Sequence, residues 1–123
     1  MIELRPIKDK EEVCVYYKKT GLEMNGFSEC LKVTDRDEVL GFCLYDLTEK
    51  NITVRYIEPI DNLALGDGIL RSTLHVAAEK SIMNAFYAET VPEEFLKKLG
   101  FIKSLDEKSL DIDKLFKSCA SCG

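Results

Sequence analysis

Gly66 and Gly68, in the stretch NLALGDGILRSTL (62–74), stand at the entrance of an otherwise amphipathic helix. Each glycine costs a helix interior about 0.8–1 kcal/mol relative to alanine. The pair therefore implies either close backbone packing or a ligand brought against the chain. The ligand suited to a helix start is an anion, because first-turn N–H groups lack intrahelical partners and the dipole is positive there. The plainer reading is a helix start capped by Asp61 or Asn62, with Asp67 favouring the dipole. A second pattern is Cys119-x-x-Cys122 in SCASCG, the spacing of half a zinc site or of a redox pair. Four zinc ligands would require Cys14, Cys30, Cys43, His75 or a second subunit, and an ordinary tail is the plainer reading. His75, the single histidine, lies four residues from both Arg71 and Glu79, which makes a charged ladder on a polar helix face.

The elements that must hold these residues follow from local pattern. IELR (2–5) reads as a strand ended by Pro6. DKEE (9–12) reads as a capping box, with Asp9 accepting from the first turn and Glu12 reaching back. The helix after it runs to about Lys19 and stops at Gly21, with Val13, Tyr16 and Tyr17 as its apolar stripe. FSECLKVT (27–34) alternates as a strand with Phe27, Leu31 and Val33 on one face. VLGFCLYDL (39–47) is apolar on both faces, as a central strand is. ITVRYIE (52–58) places Ile52, Val54 and Tyr56 together, and Pro59 ends its ladder. A long helix over about 64–81 carries Ile69, Leu70, Thr73, Val76 and Ala77 inward. A strand over 82–89 and a helix over 92–100 follow, the latter opened by Pro92 and closed by Gly100. FIKS (101–104) and KSLDID (108–113) pair as a closing hairpin, leaving a cysteine-containing tail over 114–123. The predicted fold class is α+β, a mostly antiparallel sheet flanked by helices, in one domain over 1–123.

Composition narrows the functions. The net charge is −5 and the basic residues are scattered, so no nucleic-acid or membrane-surface partner is expected. No apolar run approaches the roughly 20 residues of a membrane helix. MIELRPIKDK lacks a signal-peptide core, so the expected location is the cytoplasm, with reduced thiols.

The order βαβββαβαββ, with LGDGIL after a strand and EEFLKKLGF near the end, resembles the GNAT superfamily of N-acetyltransferases over almost the whole chain. The resemblance implies a GNAT-like acyl-CoA N-acyltransferase fold in which the strand over 52–58 splays from its neighbour and acyl-CoA lies in the gap. It implies acetyl-CoA as cosubstrate, touched by Tyr56, Ile57, Leu65, Gly66, Asp67, Gly68, Ile69 and Arg71. It makes Glu58 the candidate base and Tyr87 the candidate acid. The acceptor would be an amine, on a small molecule or a protein, and a homodimer is left open. Leu63 stands where the family prefers Arg or Gln, Glu89 where it often has Asn, and Leu96 where many members have a Tyr acid. Glu58, Asp61 and Asp67 crowd the expected pyrophosphate site with negative charge. Two other functions remain: a catalytically inactive GNAT-like binding module, and a thiol or zinc protein working through Cys119 and Cys122.

Overall fold

Asp9 caps the first helix by accepting a hydrogen bond from the Glu11 N–H at 3.0 Å, and Gly21 closes it in the left-handed region at φ 76°. The computed structural model describes residues 2–116. In chain order its elements are β1 (Ile2–Pro6), α1 (Lys10–Thr20), β2 (Ser28–Asp35), β3 (Glu38–Leu47), β4 (Ile52–Glu58), α2 (Leu63–Ala78), β5 (Ala85–Tyr87), α3 (Glu93–Leu99), β6 (Ile102–Ser104) and β7 (Ser109–Leu110). Glu12 does not reach back to Asp9 as the capping box predicts; its carboxylate pairs with Lys32 on β2. No helix among the described residues is long and apolar enough to cross a membrane.

One seven-stranded sheet runs in the order β1-β2-β3-β4-β5-β7-β6. Every neighbouring pair is antiparallel except β4 and β5, which run parallel. The β2–β3 hairpin turns through Arg36 and Asp37, both at positive φ (51° and 74°), a geometry that matches the twist of the flanking strands. On one face α1 lays Val13, Tyr16 and Tyr17 over Cys30, Phe42 and Leu44. The Tyr17 hydroxyl is satisfied inside this layer by the carbonyls of Glu29 (3.0 Å) and Tyr45 (3.1 Å). On the other face α2 buries Ile69, Leu70, Leu74 and Ala77 against Leu31, Val33, Cys43 and Val54, with Phe95, Leu96 and Leu99 of α3 beside them.

Several boundaries differ from the sequence reading, each for a local reason. Phe27 precedes β2 and is 55% exposed, whereas Leu31 and Val33 are buried as expected. α2 ends at Ala78, because Ser81 enters the left-handed region and the Ile82 N–H returns to the Ala77 carbonyl at 3.0 Å. The strand expected over 82–89 pairs only at Ala85–Tyr87, since Val91 N–H turns the chain back onto the Ala88 carbonyl. The closing hairpin forms but is shorter than 101–104 and 108–113. Lys114 and Leu115, expected to open the tail, instead join the body: the Lys114 ammonium donates to the carbonyls of Leu99 (2.6 Å) and Gly100 (3.2 Å), and Leu115 packs on the core. Cys119 and Cys122 lie outside the described residues.

The buried thiols and phenols give stability a direction with pH. Burial pushes Cys43 up from an ordinary 9.0 to about 12 and Tyr17 from 10.0 to about 12, and it raises Cys30 and Tyr45 as well. These groups are neutral when folded, and their raised pKa means that the unfolded chain loses its protons first. Their contribution is therefore whole below about pH 9 and declines between about 9 and 12. The urea midpoint is expected to hold up to about pH 9 and fall steadily above it, with Cys43→Ala giving a shallower fall. A midpoint that stays level to the alkaline end contradicts this account.

Candidate functional site

β4 outlasts its parallel partner. The β4–β5 ladder covers Ile52↔Ala85, Thr53↔Phe86 and Val54↔Tyr87, and closes with Ala88 N–H on the Val54 carbonyl at 2.8 Å. β4 then continues to Glu58 along β3 alone, so its side facing β5 opens into a gap. A bulge sits where the gap begins. Leu44 opposes Tyr56 while Tyr45 opposes Val54, which leaves Arg55 as the extra residue. The bulge reverses the alternation beyond it. Ile57 joins Ile52 and Val54 in the α2-side core, and Tyr56 turns to the α1 side, contrary to the expected grouping of Ile52, Val54 and Tyr56.

Arg55 is held at both ends. Its carbonyl accepts from the Thr90 hydroxyl, and its guanidinium donates to the Glu23 carbonyl at 2.6 Å. The same guanidinium lies 3.5 Å from an Asp46 oxygen and faces the Tyr17 ring at 5.6 Å. Asp46 in turn accepts from Ser28 (2.9 Å) and Asn25 (3.2 Å), so the segment after α1 is tied to the bulge.

Glu58 ends the strand exposed, and the Tyr56 hydroxyl donates to its Oε1 at 2.7 Å. That hydrogen bond is the main cause that raises the Tyr56 phenol above its ordinary value, with burial second. Sequence reasoning missed Gly41 of β3. A Cβ there would stand 2.5 Å from the Glu58 carbonyl oxygen, 2.8 Å from Pro59 Cδ and 3.0 Å from Ile69 Cδ1. Only a residue without a side chain lets the exit of β4 fold so closely over β3. The available signal was a lone glycine inside a strand apolar on both faces.

α2 begins before the glycines rather than at them. Asn62 is its cap, its side chain accepting from Leu65 N–H (3.0 Å) and its carbonyl from Gly66 N–H (2.8 Å). The amides of Leu65 and Gly66 are thus already bonded, and Ile69 lies in the core. The first-turn donors of this helix belong to Leu63 and Ala64. Gly66 serves packing: a Cβ would stand 2.5 Å from Cζ of Phe95, whereas at Gly68 the nearest atom is Leu4 Cδ2 at 3.9 Å. Asp67 is paired with Arg71 at 2.8 Å, which compensates one of the three acids, and Arg71 also lies over the Phe101 ring at 5.1 Å. The expected ladder therefore splits into Asp67–Arg71 and His75–Glu79, the latter at 3.2 Å. No acid lies in the first turn of α2, in contrast to α1 and α3.

The structure does not bring Tyr87 to Glu58. Tyr87 is buried in the core, its hydroxyl 3.5 Å from Glu93, and burial followed by that carboxylate raises its pKa. It lines a cleft of about 360 Å³ with Val91, Pro92, Glu93, Glu94 and the pair Glu89–Lys108. Lys108, 2.7 Å from Glu89, lowers that carboxyl's pKa. Leu96 is wholly buried. Among the described residues no group of three His, Cys, Asp or Glu could hold a metal ion.

No protein-family model matches the chain, and no curated protein does. Solved structures do match it. The ribosomal-protein-S18-alanine N-acetyltransferase of Escherichia coli superposes with a TM-score of 0.62 at 11% identity, over 89% of this chain and 88% of that one. The E. coli protein YhhK, solved in solution bound to coenzyme A, gives 0.60 at 11%, over 85% and 93%. An acetyltransferase of the GNAT family from Streptococcus pneumoniae gives 0.57 at 16%, over 83% and 88%. The chain has the α+β fold of the GNAT acetyltransferases, as the order of its elements implied.

Proposed function

We propose that this chain, built on the fold of the GNAT acetyltransferases, transfers an acetyl group from acetyl-CoA to an amine. The observation that carries the reading is the early parting of β4 from β5, which leaves three residues of β4 edge, Tyr56 to Glu58, beside the capped start of α2, whose first turn carries no acid. Such an edge offers peptide groups to an extended amide-bearing chain, and a helix start attracts an anion. The residues fit the cosubstrate with one revision: Leu63 and Ala64, rather than Leu65 to Ile69, supply the unpaired helix-start amides. The complex of YhhK with coenzyme A supports the same cosubstrate here.

When bound, the thioester supplies a carbonyl already activated toward attack. The chain's own residues do the rest. The backbone of Tyr56 and Ile57 lines the gap and orients the acyl group, and Glu58 takes the proton that the amine must lose. The new C–N bond forms as the C–S bond breaks, and the thiolate takes a proton from solvent. A thiol with a pKa of about 8.5 leaves without a dedicated acid, which agrees with Leu96 at the family's acid position and with Tyr87 turned to Glu93. Calorimetric titration with acetyl-CoA is expected to show saturable one-to-one binding with a dissociation constant under about 1 mM, within the usual range for enzyme substrates. Absence of heat at millimolar ligand dismisses the transferase.

A further inference from the structure

We infer that the outer edge of β1 is an interaction surface for a second copy of this chain, the two strands pairing antiparallel about a two-fold axis at Leu4. Among the described residues β1 ends the sheet, hydrogen-bonded as a strand to β2 alone. Ile7 N–H bonds the Cys30 carbonyl at 2.8 Å. Along the same register, Arg5↔Lys32 and Glu3↔Thr34, the odd-numbered residues therefore spend their backbone groups on β2. The N–H and C=O of Ile2 and Leu4, and the Pro6 carbonyl, point out of the edge instead. An edge of this kind is a template for another strand.

The order of side chains along β1 selects a copy of the same strand as the occupant. Leu4 packs on the α2-side core, so Ile2 and Pro6 share that face. Glu3 and Arg5 share the other face, 3.4 Å apart, with side chains 45% and 73% exposed. A two-fold axis between antiparallel edges keeps like faces together. With Leu4 opposite Leu4, Glu3 falls opposite Arg5 of the other copy, and Arg5 opposite its Glu3. Sliding one copy by two residues, the next register in which outward backbone groups meet, sets Glu3 against Glu3 or Arg5 against Arg5. Opposite charges directly across strands attract and like charges repel, so charge selects the register with the longest overlap. On the α2 side that register sets Ile2 of each copy opposite Pro6. Ile2 is 53% exposed, and Pro6 borders a groove of about 440 Å³ floored by Leu4, Leu31, Val76 and Leu115. Each copy thus lays an exposed apolar side chain over the groove of the other. Leu4 exchanges both backbone hydrogen bonds with its copy, and each Ile2 N–H meets the opposite Pro6 carbonyl, while Pro6 has no N–H to return. So short a ladder makes a reversible dimer rather than an obligate one. The gap beside β4 opens on the side away from β1, so the dimer leaves it open and forms whether or not the chain transfers acetyl groups.

The test is sedimentation equilibrium of the full chain, with reductant present so that thiols cannot link two copies. A monomer–dimer equilibrium with a dissociation constant under about 100 μM is expected. Glu3→Arg and Arg5→Glu are each expected to weaken self-association at least about tenfold, because each sets like charges opposite one another at both ends of the ladder. Mixed one to one, the two variants should recover a dimer of about the original affinity, since arginines then face glutamates throughout. A second measurement needs no variant: raising salt from about 0.05 to 0.5 M should weaken the dimer of the unaltered chain by screening the exposed pairs. A chain that stays monomeric at about 1 mM overturns the inference. So does a dimer indifferent to both substitutions or to salt, or a pair of folded variants that fails to recover association on mixing.

Discussion

Replacing Glu58 by glutamine is expected to lower turnover at least about a hundredfold while the fold and acetyl-CoA binding persist. An alkyl amine with a pKa near 10.4 is almost wholly protonated at neutral pH and cannot attack a carbonyl in that form. In the proposed reaction the Glu58 carboxylate at the strand end removes the proton where the amine is already held. General acid–base assistance of this kind is worth about 10² to 10⁴. Glutamine keeps the size of the side chain and an oxygen to accept the Tyr56 hydroxyl, but it takes no proton. Glu58 is exposed, so stability should change by less than about 0.5 kcal/mol. The informative measurement is kcat against pH for both proteins. The deficit should shrink as the pH approaches that of the free amine, because bulk deprotonation then replaces the lost base. A glutamine variant with undiminished kcat removes Glu58 from the chemistry.

Gly66→Ala and Gly68→Ala should move stability in opposite directions, although the two residues are neighbours on one helix. At Gly66 the added methyl meets the Phe95 ring at 2.5 and 2.8 Å, and that ring is buried with little room to retreat. Overpacking of this sort costs about 1–3 kcal/mol, offset by about 1 kcal/mol of improved helix propensity. The net loss expected is up to about 2 kcal/mol, the close approach to the buried ring placing it toward the upper end. At Gly68 the methyl meets only Leu4 at 3.9 Å, an ordinary contact, so the gain of about 0.8–1 kcal/mol is realised. Urea denaturation reads both signs. Phe95→Leu in the Gly66→Ala background should recover part of the loss, which a double-mutant cycle isolates. If both glycine variants shift stability the same way, the packing account of Gly66 fails.

Features encoded within a few residues were legible in the chain itself. Asp9, Gly21, Pro92 and Gly100 mark helix ends where their backbone geometry puts them, and Val13, Tyr16 and Tyr17 form the buried stripe of α1. Features that depend on a distant partner were not. The bulge at Arg55 exists only in register with β3, so the sequence alternation carried Tyr56 to the wrong face. The cap at Asn62 was one of the two read from the sequence, but the role of Gly66 was not, because it depends on Phe95 of α3. Gly41 acquires its meaning only from the exit of β4 that crosses it. Glu58 was named from strand position and resemblance, and its partner Tyr56 became visible only once the bulge placed both on one side. Asp67 weighed against an anion while Arg71, one turn along, was unassigned to it.

The short parallel ladder also bears on how the molecule comes apart. β1 to β4 form a continuous antiparallel block with α1 and α2 packed on its two faces. β5, α3, β6 and β7 attach to that block through three ladder positions and through side chains such as Phe95 seated on Gly66. Hydrogen bonding across the seam is therefore sparse, and adhesion there is mainly apolar. The carboxy-terminal third should detach as a unit at lower free energy than global unfolding, giving the chain two tiers of cooperativity. The seam proposed to admit a ligand is then also the plane of weakness, and whatever binds along it would act as a clasp between the tiers.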